Sequence, residues 1–195
     1  MPLEATDHHG NTTEIVWGEI SPCEHLVQIY QDDTVILDAL QGFVVGGLEA
    51  GDGVIVVATP AHLDALERRL LSAGFDPNLA ALQDQYIPLD AERTLARFMT
   101  RGWPDEILFE QLVIDVLERA GQDGRRVRAF GEMVAILWAK GHTGATIRLE
   151  QLWHRMCHER GFSLFCAYPR VGFAQGAEMS IKEICATHSK VVNDN

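Results

Sequence analysis

Residues 125–138 read RRVRAFGEMVAILW and place a strand pattern directly before a helix pattern. The stretch begins basic, continues through the apolar-tending residues 127–130, turns at Gly131-Glu132 and resumes as the apolar run 133–138. In an open α/β sheet the helix would begin at the carboxyl edge of the strand, where such sheets gather ligands. Glu132 is the carboxylate at that turn. It either contacts a ligand, a metal or a switching element in a cleft, or lies in the first helical turn and complements the helix dipole.

The same order of strand, cap, helix and glycine recurs along the chain. His25–Tyr30 and Gly53–Ala58 read as strands, and the second is apolar throughout, as a strand covered on both faces would be. Each is followed by helix-capping residues, Asp32-Asp33-Thr34 in the first case and Thr59-Pro60 in the second. This alternation predicts an α/β fold, a mostly parallel sheet flanked by helices on both faces.

The other elements are predicted from shorter patterns. They are a strand at 85–89, a helix from Asp90 to about residue 100, a helix that opens at Pro104, a last strand at 162–168 and a final helix at 179–189. We expect residues 1–18 to form a loosely ordered tail, 19–192 a single α/β domain and 193–195 a short C-terminal tail.

Composition narrows the class of protein. The chain has 195 residues, is 47% hydrophobic and carries a formal net charge of -12. Such a negative charge opposes non-specific binding to DNA and to anionic membranes, so we expect neither a nucleic acid nor a membrane as partner. No secretory signal and no membrane-spanning apolar run is visible. The four cysteines are scattered without a C-x-x-C pair, which predicts a reduced, cytoplasmic setting.

The turn after the first strand lacks the features of a phosphate-binding loop. A nucleotide-binding α/β protein would place small residues there, so that backbone N–H groups wrap the phosphates, and a lysine to neutralise them. Residues 31–35 read QDDTV, with no glycine, no lysine and two carboxylates, Asp32 and Asp33. We therefore expect no tight ATP binding at this loop and no ATPase activity. The sequence also contains no catalytic triad, zinc-protease or kinase motif.

Six stretches together resemble the MEDS family, the sensory domains associated with DcmR-type regulators of methanogens and methylotrophs. They are HLVQIYQDD (25–33), GLEAGDGVIVVATPAHLDALERRL (47–70), LDAERTLARFM (89–99), RVRAFGEMVAILW (126–138), LEQLWHRMCHERGFSLFCAYP (149–169) and ICATHS (184–189). The resemblance implies a degenerate relative of the KaiC/RecA ATPases that has lost its P-loop. Residues 31–35 would then lie at the lost phosphate loop, and Gly131-Glu132 near the acidic end of the Walker B strand.

The resemblance also implies a function. Family members are thought to sense small molecules, hydrocarbon derivatives among them, and to relay the signal to histidine kinases, sigma-factor regulators or transcription regulators. We therefore expect a small organic ligand, a signalling-protein partner, no cofactor and no enzymatic activity, with a homodimer left open. Two alternatives stay open: an ATPase-like enzyme that uses Glu132 with a metal and a nucleotide held elsewhere, and a ligand-free interaction module that inhibits a partner.

The expected ligand-binding residues lie around the predicted carboxyl edge of the sheet. They are His25, Tyr30, Asp32, Asp33, Thr59, Arg128, Glu132 and Tyr168. Each also has a structural interpretation, as a cap, a strand-end imidazole or a core aromatic. Arg128 is predicted either to form a salt bridge with a carboxylate such as Glu132 or to face an anionic ligand. Three tryptophans, Trp103, Trp138 and Trp153, are expected to pack in the core or against helices, and sensing of a small organic molecule would need one of them to wall an apolar pocket.

The cysteines and the remaining histidines each have a functional and a structural interpretation. Cys185 and His188 form C-x-x-H, and Cys166 lies on the last predicted strand, so these residues are either a redox or nucleophilic group or buried packing residues. Many family members carry a cysteine two residues after the first-strand histidine. This chain has Val27 there, so the resemblance does not extend thiol-dependent sensing to that position. His154 and His158 have the i, i+4 spacing of a chelate but face away from the apolar stripe of their helix, and we predict no metal site.

Overall fold

The computed structural model describes residues 3–172, 184–186 and 188–193. It contains β1 (Glu4–Asp7), β2 (Thr12–Glu14), β3 (His25–Tyr30), β4 (Gly53–Ala58), β5 (Tyr86–Asp90), β6 (Met99–Thr100), β7 (Trp103–Pro104), β8 (Val127–Gly131), β9 (Ser163–Pro169) and β10 (Lys190–Val192). Eight of these strands form one sheet in the order β2-β1-β10-β3-β9-β8-β4-β5, and β6 pairs with β7 in a separate hairpin. The strands from β10 to β5 are parallel neighbours, and β1 and β2 are antiparallel. The predicted mostly parallel α/β sheet is confirmed.

Seven α-helices are delimited within the described residues. They are α1 (Asp33–Glu49), α2 (Pro60–Ser72), α3 (Pro77–Leu82), α4 (Ala91–Ala96), α5 (Glu106–Ala120), α6 (Met133–Ala139) and α7 (Thr143–Arg160). The predicted caps are present: Asp32 Oδ1 accepts from the amides of Thr34 at 2.9 Å and Val35 at 3.2 Å, and Thr59 Oγ1 accepts from the His62 amide. Across the described ranges, the structure contains no helix with the length and apolarity that a bilayer crossing requires.

Two hydrophobic cores lie on the two faces of the sheet. Along β4 the side chains alternate between them, since Val54 and Val56 belong to the core under α1 and α2, while Ile55 and Val57 belong to the core under α5, α6 and α7. Every residue of β4 is buried, as its uninterrupted apolar sequence predicts. Burial on both faces means that a solvent-accessible site along β4 can form only at its ends and in the flanking loops.

The N-terminal segment differs from the predicted loose tail. Strand β1 pairs with β10 and β2 pairs with β1, so both belong to the main sheet, and Ala5 is buried. All three residues of β2 are exposed. These strands could not be predicted from the sequence. A short strand at the edge of a sheet has little apolar surface to cover and therefore shows no alternation of apolar and polar residues.

The helix predicted from Asp90 to about residue 100 is shorter than expected. Helix α4 ends at Ala96, and β6 and β7 follow as a hairpin around Arg101 and Gly102, both with positive φ. A two-residue turn of that kind matches the twist of a hairpin and cannot continue a helix. The predicted final helix at 179–189 lies largely outside the described residues. Within them, residues 184–186 are helical, and β10 then follows as a strand that was not predicted.

The outer parallel strand β5 carries an exposed proline. Pro88 pairs in register with Val56 of β4 and lies in the middle of the strand. Proline lacks a backbone N–H, and it is tolerated in sheets at edge strands where that group would face solvent. Its position agrees with β5 being the last strand on this side of the sheet.

Candidate functional site

Three loops meet at the carboxyl edge of the sheet. Glu132 follows β8, and its carboxylate accepts hydrogen bonds from the Thr59 amide (Oε2 to N, 2.8 Å) and from Nδ1 of His62. On the other side of the imidazole, His62 Nε2 lies 3.4 Å from Asp33 Oδ1. We call Asp33, Thr59, His62 and Glu132 the edge cluster. It connects the β3–α1, β4–α2 and β8–α6 turns.

The edge cluster favours a charged imidazole. The hydrogen bond to Glu132 raises the pKa of His62, the negative charges of Glu132 and Asp33 raise it further, and burial opposes them. Burial also raises the pKa of the neighbouring Tyr30 phenol, and the charges of Glu132 and Asp33 add to that effect. Glu132 is buried, whereas the Asp33 side chain is 76% exposed. The cluster therefore reaches from the core to solvent through one imidazole.

Glu132 does not cap its own helix. It occupies the N-cap position of α6 without a side-chain cap hydrogen bond, and its carboxylate instead binds groups at the start of α2. The predicted favourable interaction between a carboxylate and a helix N-terminus is thus present, but the helix is α2. Asp32 has a local role, since it takes the amide donors of the β3–α1 turn. Those N–H groups are the ones that would face a phosphate in a phosphate-binding loop.

Arg128 lies away from the edge cluster. It is the second residue of β8, and its guanidinium is salt-bridged to Asp52, with Nε 3.0 Å from Oδ2. Nη1 also donates to the carbonyls of Trp17 and Phe43. Of the two predicted alternatives the salt bridge is confirmed, but naming Glu132 as its carboxylate was wrong. Arg128 and Glu132 lie towards opposite ends of β8, and Asp52 immediately precedes β4 beside it.

A second group of polar side chains is buried between the sheet and α7. His25 Nε2 lies 3.4 Å from Cys166 Sγ and 3.7 Å from Glu150 Oε2, and His188 Nε2 lies 3.5 Å from the same Glu150 oxygen. Tyr168 donates a hydrogen bond to Glu150 Oε1. We call His25, Glu150, Cys166, Tyr168 and His188 the buried cluster. All five residues are buried.

Burial dominates the chemistry of this second cluster. It raises the pKa of the Cys166 thiol well above the ordinary value, and the nearby Glu150 carboxylate raises it further. The same two causes, in the same order, raise the pKa of Tyr168. Both groups are therefore protonated at neutral pH. The partly buried Cys185 also has a raised pKa because of burial. A raised pKa favours the thiol over the reactive thiolate, so the packing alternative fits both cysteines better than the nucleophilic one.

The eight predicted ligand-binding residues thus divide among three places. Tyr30, Asp33, Thr59 and Glu132 gather at the carboxyl edge, with Asp32 capping α1 beside them, while His25 and Tyr168 belong to the buried cluster and Arg128 to the Asp52 salt bridge. His154 and His158 lie on the exposed face of α7 with ring centroids 4.5 Å apart, as their position outside the apolar stripe predicts.

Sequence reasoning missed two central residues. His62 lies in the first turn of α2, three residues after the Thr59 cap, where a side chain returns toward the sheet edge. Glu150 is a lone carboxylate within the buried stripe of α7, between Thr146 and Trp153. An acidic residue at a core-facing helical position was the signal, because such a residue is rarely buried without a partner.

Trp153 does wall an apolar cavity, but the cavity is small. It lies between the sheet and α5, is lined by residues such as Ile55, Val116 and Met133, and has a volume of about 20 Å³. That space suits one molecule about the size of water and no larger ligand. The cavity therefore does not provide a site for an organic molecule.

Comparison with known proteins bears on what the domain does. No curated protein matches the chain. A family model described as MEDS, the methanogen/methylotroph DcmR sensory domain, matches residues 24–189. That range is most of the chain and includes every residue of the edge cluster and of the buried cluster. The chain belongs to the MEDS family of sensory domains.

Proposed function

We propose that this domain senses a small organic molecule at the edge cluster and relays its presence to a signalling protein, without hydrolysing ATP. The observation that supports this proposal most is the Asp33–His62–Glu132 connection, which links three turns through hydrogen-bonding groups. A molecule that competes for any of these groups would release one turn from the others. Binding would thereby shift the population between two arrangements of α1 and α2.

The charges of the edge cluster restrict the class of ligand. Two carboxylates surround one imidazole, so the site opposes a triphosphate and accepts an uncharged or cationic molecule that donates hydrogen bonds. Small alcohols and amines meet this description, and they are simple hydrocarbon derivatives. Asp33 is the exposed member, so the ligand would first meet its carboxylate.

We further propose that the domain is a degenerate relative of the KaiC/RecA ATPases. In that relation the β3–α1 turn would correspond to the phosphate loop, and Asp32 already occupies its amide donors. Glu132, the residue that an ATPase-like enzyme would need for a metal or a water, is already held by His62 and Thr59. These contacts support recognition over hydrolysis.

The output would leave through the surface of α1 and α2, whose first turns the edge cluster holds. A histidine kinase, a sigma-factor regulator or a transcription regulator is the kind of partner that the family membership supports. The setting that we propose is the cytoplasm, and the four free thiols of the chain are consistent with its reducing conditions.

Calorimetry and thermal shift test the proposal. We expect no binding of ATP with Mg²⁺ up to about 1 mM, where a Kd of that size corresponds to about -4 kcal/mol. We expect stabilisation by at least one member of a panel of short alcohols, amines and their methylated derivatives. The stabilisation should be lost in Glu132→Gln and retained in Asp64→Asn, which neutralises an exposed carboxylate on the same helix as His62.

Two outcomes would favour the alternatives. Tight ATP binding with hydrolysis that depends on Glu132 would indicate an ATPase-like enzyme. A partner that binds wild type and Glu132→Gln equally, without response to any panel member, would indicate a ligand-free interaction module.

A further inference from the structure

We propose that the buried cluster is a binding site for one divalent transition-metal ion, with zinc as the first candidate. The ligands are His25 Nε2, His188 Nε2, Cys166 Sγ and a carboxylate oxygen of Glu150. These four donor atoms all lie within 4.8 Å of one another, and all four side chains are buried. Sequence reasoning predicted no metal site, because the four residues come from three elements and from the segment that precedes β10.

Four of the six separations between the donor atoms lie close to those of a tetrahedral site, and the other two are no longer than 4.8 Å. Zinc binds sulfur at about 2.3 Å and nitrogen or oxygen at about 2.0–2.2 Å, which places tetrahedral ligands about 3.3–3.6 Å apart. The observed separations are 3.4 Å from His25 to Cys166, 3.5 Å from His188 to Glu150, 3.7 Å from His25 to Glu150 and 3.9 Å from Cys166 to Glu150. The thiol and the carboxylate therefore need only small shifts to close around an ion, whereas the His25 and His188 rings, whose centroids lie 3.9 Å apart, would have to separate.

The charges of the four ligands balance a divalent ion. One thiolate and one carboxylate would cancel the two positive charges, and the two imidazoles would bind in their neutral form. The ion would displace the thiol proton of Cys166, which passes to water. The resulting complex is neutral as a whole, which is what a fully buried site requires, because an unbalanced charge there is costly. One sulfur and two nitrogens among the donors favour zinc over magnesium or calcium, which prefer oxygen.

Neighbouring groups already hold two of the ligands in a binding orientation. His188 Nδ1 donates to the Ile184 carbonyl at 2.6 Å, which leaves its Nε2 turned toward Glu150. Tyr168 donates to Glu150 Oε1, so that Oε2 is directed toward His25 and His188. Protein metal sites use outer hydrogen bonds of this kind to orient imidazole and carboxylate ligands.

The ion would join the C-terminal segment to the centre of the domain. Ser189, next to His188, already exchanges hydrogen bonds with the backbone of His25: the Ser189 amide donates to the His25 carbonyl at 2.7 Å, and the Ser189 hydroxyl oxygen accepts from the His25 amide at 2.8 Å. Metal ligation through His188 would add a second connection between the approach to β10 and the strands β3 and β9. The site shares no residue with the edge cluster, so a test of metal binding does not depend on whether the edge cluster binds the proposed ligand.

Metal analysis tests the proposal on the full chain. After exposure to Zn²⁺ and dialysis we expect about one zinc per chain, and with Co²⁺ a thiolate-to-cobalt charge-transfer absorption. Cys166→Ser should abolish that absorption and weaken zinc binding by more than about 100-fold. Tyr168→Phe, which removes only an outer hydrogen bond, should weaken it by about 10–100-fold. Cys157→Ser changes another buried thiol and should leave both measurements unchanged.

The surface pair His154 and His158 provides the main rival site, because its i, i+4 spacing can also chelate a metal. In the double variant His154→Gln/His158→Gln we expect zinc binding to persist. The proposal is overturned if this variant loses the metal while Cys166→Ser retains it, or if wild type binds less than one zinc per chain after dialysis. If Cys166→Ser does not fold, the cobalt spectrum of the wild-type chain decides, since a spectrum without the thiolate absorption also overturns the proposal.

Discussion

Replacing Asp52 with asparagine should destabilise the domain strongly, because it leaves the Arg128 guanidinium buried without its carboxylate. Arg128 is 1% exposed and Asp52 4% exposed. Loss of one member of a buried ion pair costs about 3–5 kcal/mol. Arg128 keeps two carbonyl acceptors and its position 5.3 Å from the Phe43 ring centroid, so we expect the lower end, about 3 kcal/mol. For a chain of this size that corresponds to a fall in Tm of about 6–12 °C.

The assay is urea unfolding followed by circular dichroism, since guanidinium is a salt and would screen the pair. Asp38→Asn is the matched control. It removes the carboxylate of the exposed Asp38–Arg69 pair, with the Asp38 side chain 63% exposed, and should cost less than about 1 kcal/mol. Adding Arg128→Met to Asp52→Asn should restore part of the lost stability, because it removes the uncompensated charge. A loss for Asp52→Asn no larger than that of the control would refute the reasoning.

Three further outcomes follow from the same structure. Glu132 raises the pKa of His62 in the folded state. The stability that wild type has over His62→Gln should therefore be full below the pKa of His62 in the unfolded chain and disappear as pH rises through its pKa in the folded chain. Urea midpoints that differ by a constant amount between about pH 5 and pH 9 would contradict this. Gly53→Ala should cost about 1–3 kcal/mol in urea unfolding, since its Cβ would lie 2.1 Å from a backbone carbonyl oxygen, whereas Gly131→Ala, with open space, should be tolerated much better. Mass spectrometry after iodoacetamide treatment should find Cys166 unmodified in the folded chain and modified in urea, and rapid native labelling would show that the thiol is accessible.

The fold was largely predictable because its signals are local. The central strands are short apolar runs, and the caps at Asp32 and Thr59 mark helix starts within one turn. The β6–β7 hairpin and the N-terminal strands were not predictable in this way. The hairpin depends on a two-residue turn, β1 depends on pairing with β10 almost a full chain length away, and β2 depends on pairing with β1. Short polar strands that pair with distant residues leave no periodic pattern of apolar residues in the sequence.

The candidate site could be predicted only in part. The carboxyl edge of the sheet follows from strand order, so Asp33, Thr59 and Glu132 were predicted to lie there, and they do. Which side chains fill the space between them depends on the rotation of α2, and that rotation places His62 at the centre. The buried cluster depends on strand neighbours: Cys166 meets His25 because β9 lies beside β3, although 141 residues separate them.

The proline in β5 has a consequence for assembly. A strand from a neighbouring copy could extend the sheet on that side only by pairing with β5. Pro88, in the middle of β5, lacks the backbone N–H that such pairing needs and would interrupt the new hydrogen bonds. Growth by strand addition, which turns many open sheets into filaments, is therefore blocked along this border. A twofold pair of these domains would have to use a helical flank or the opposite margin.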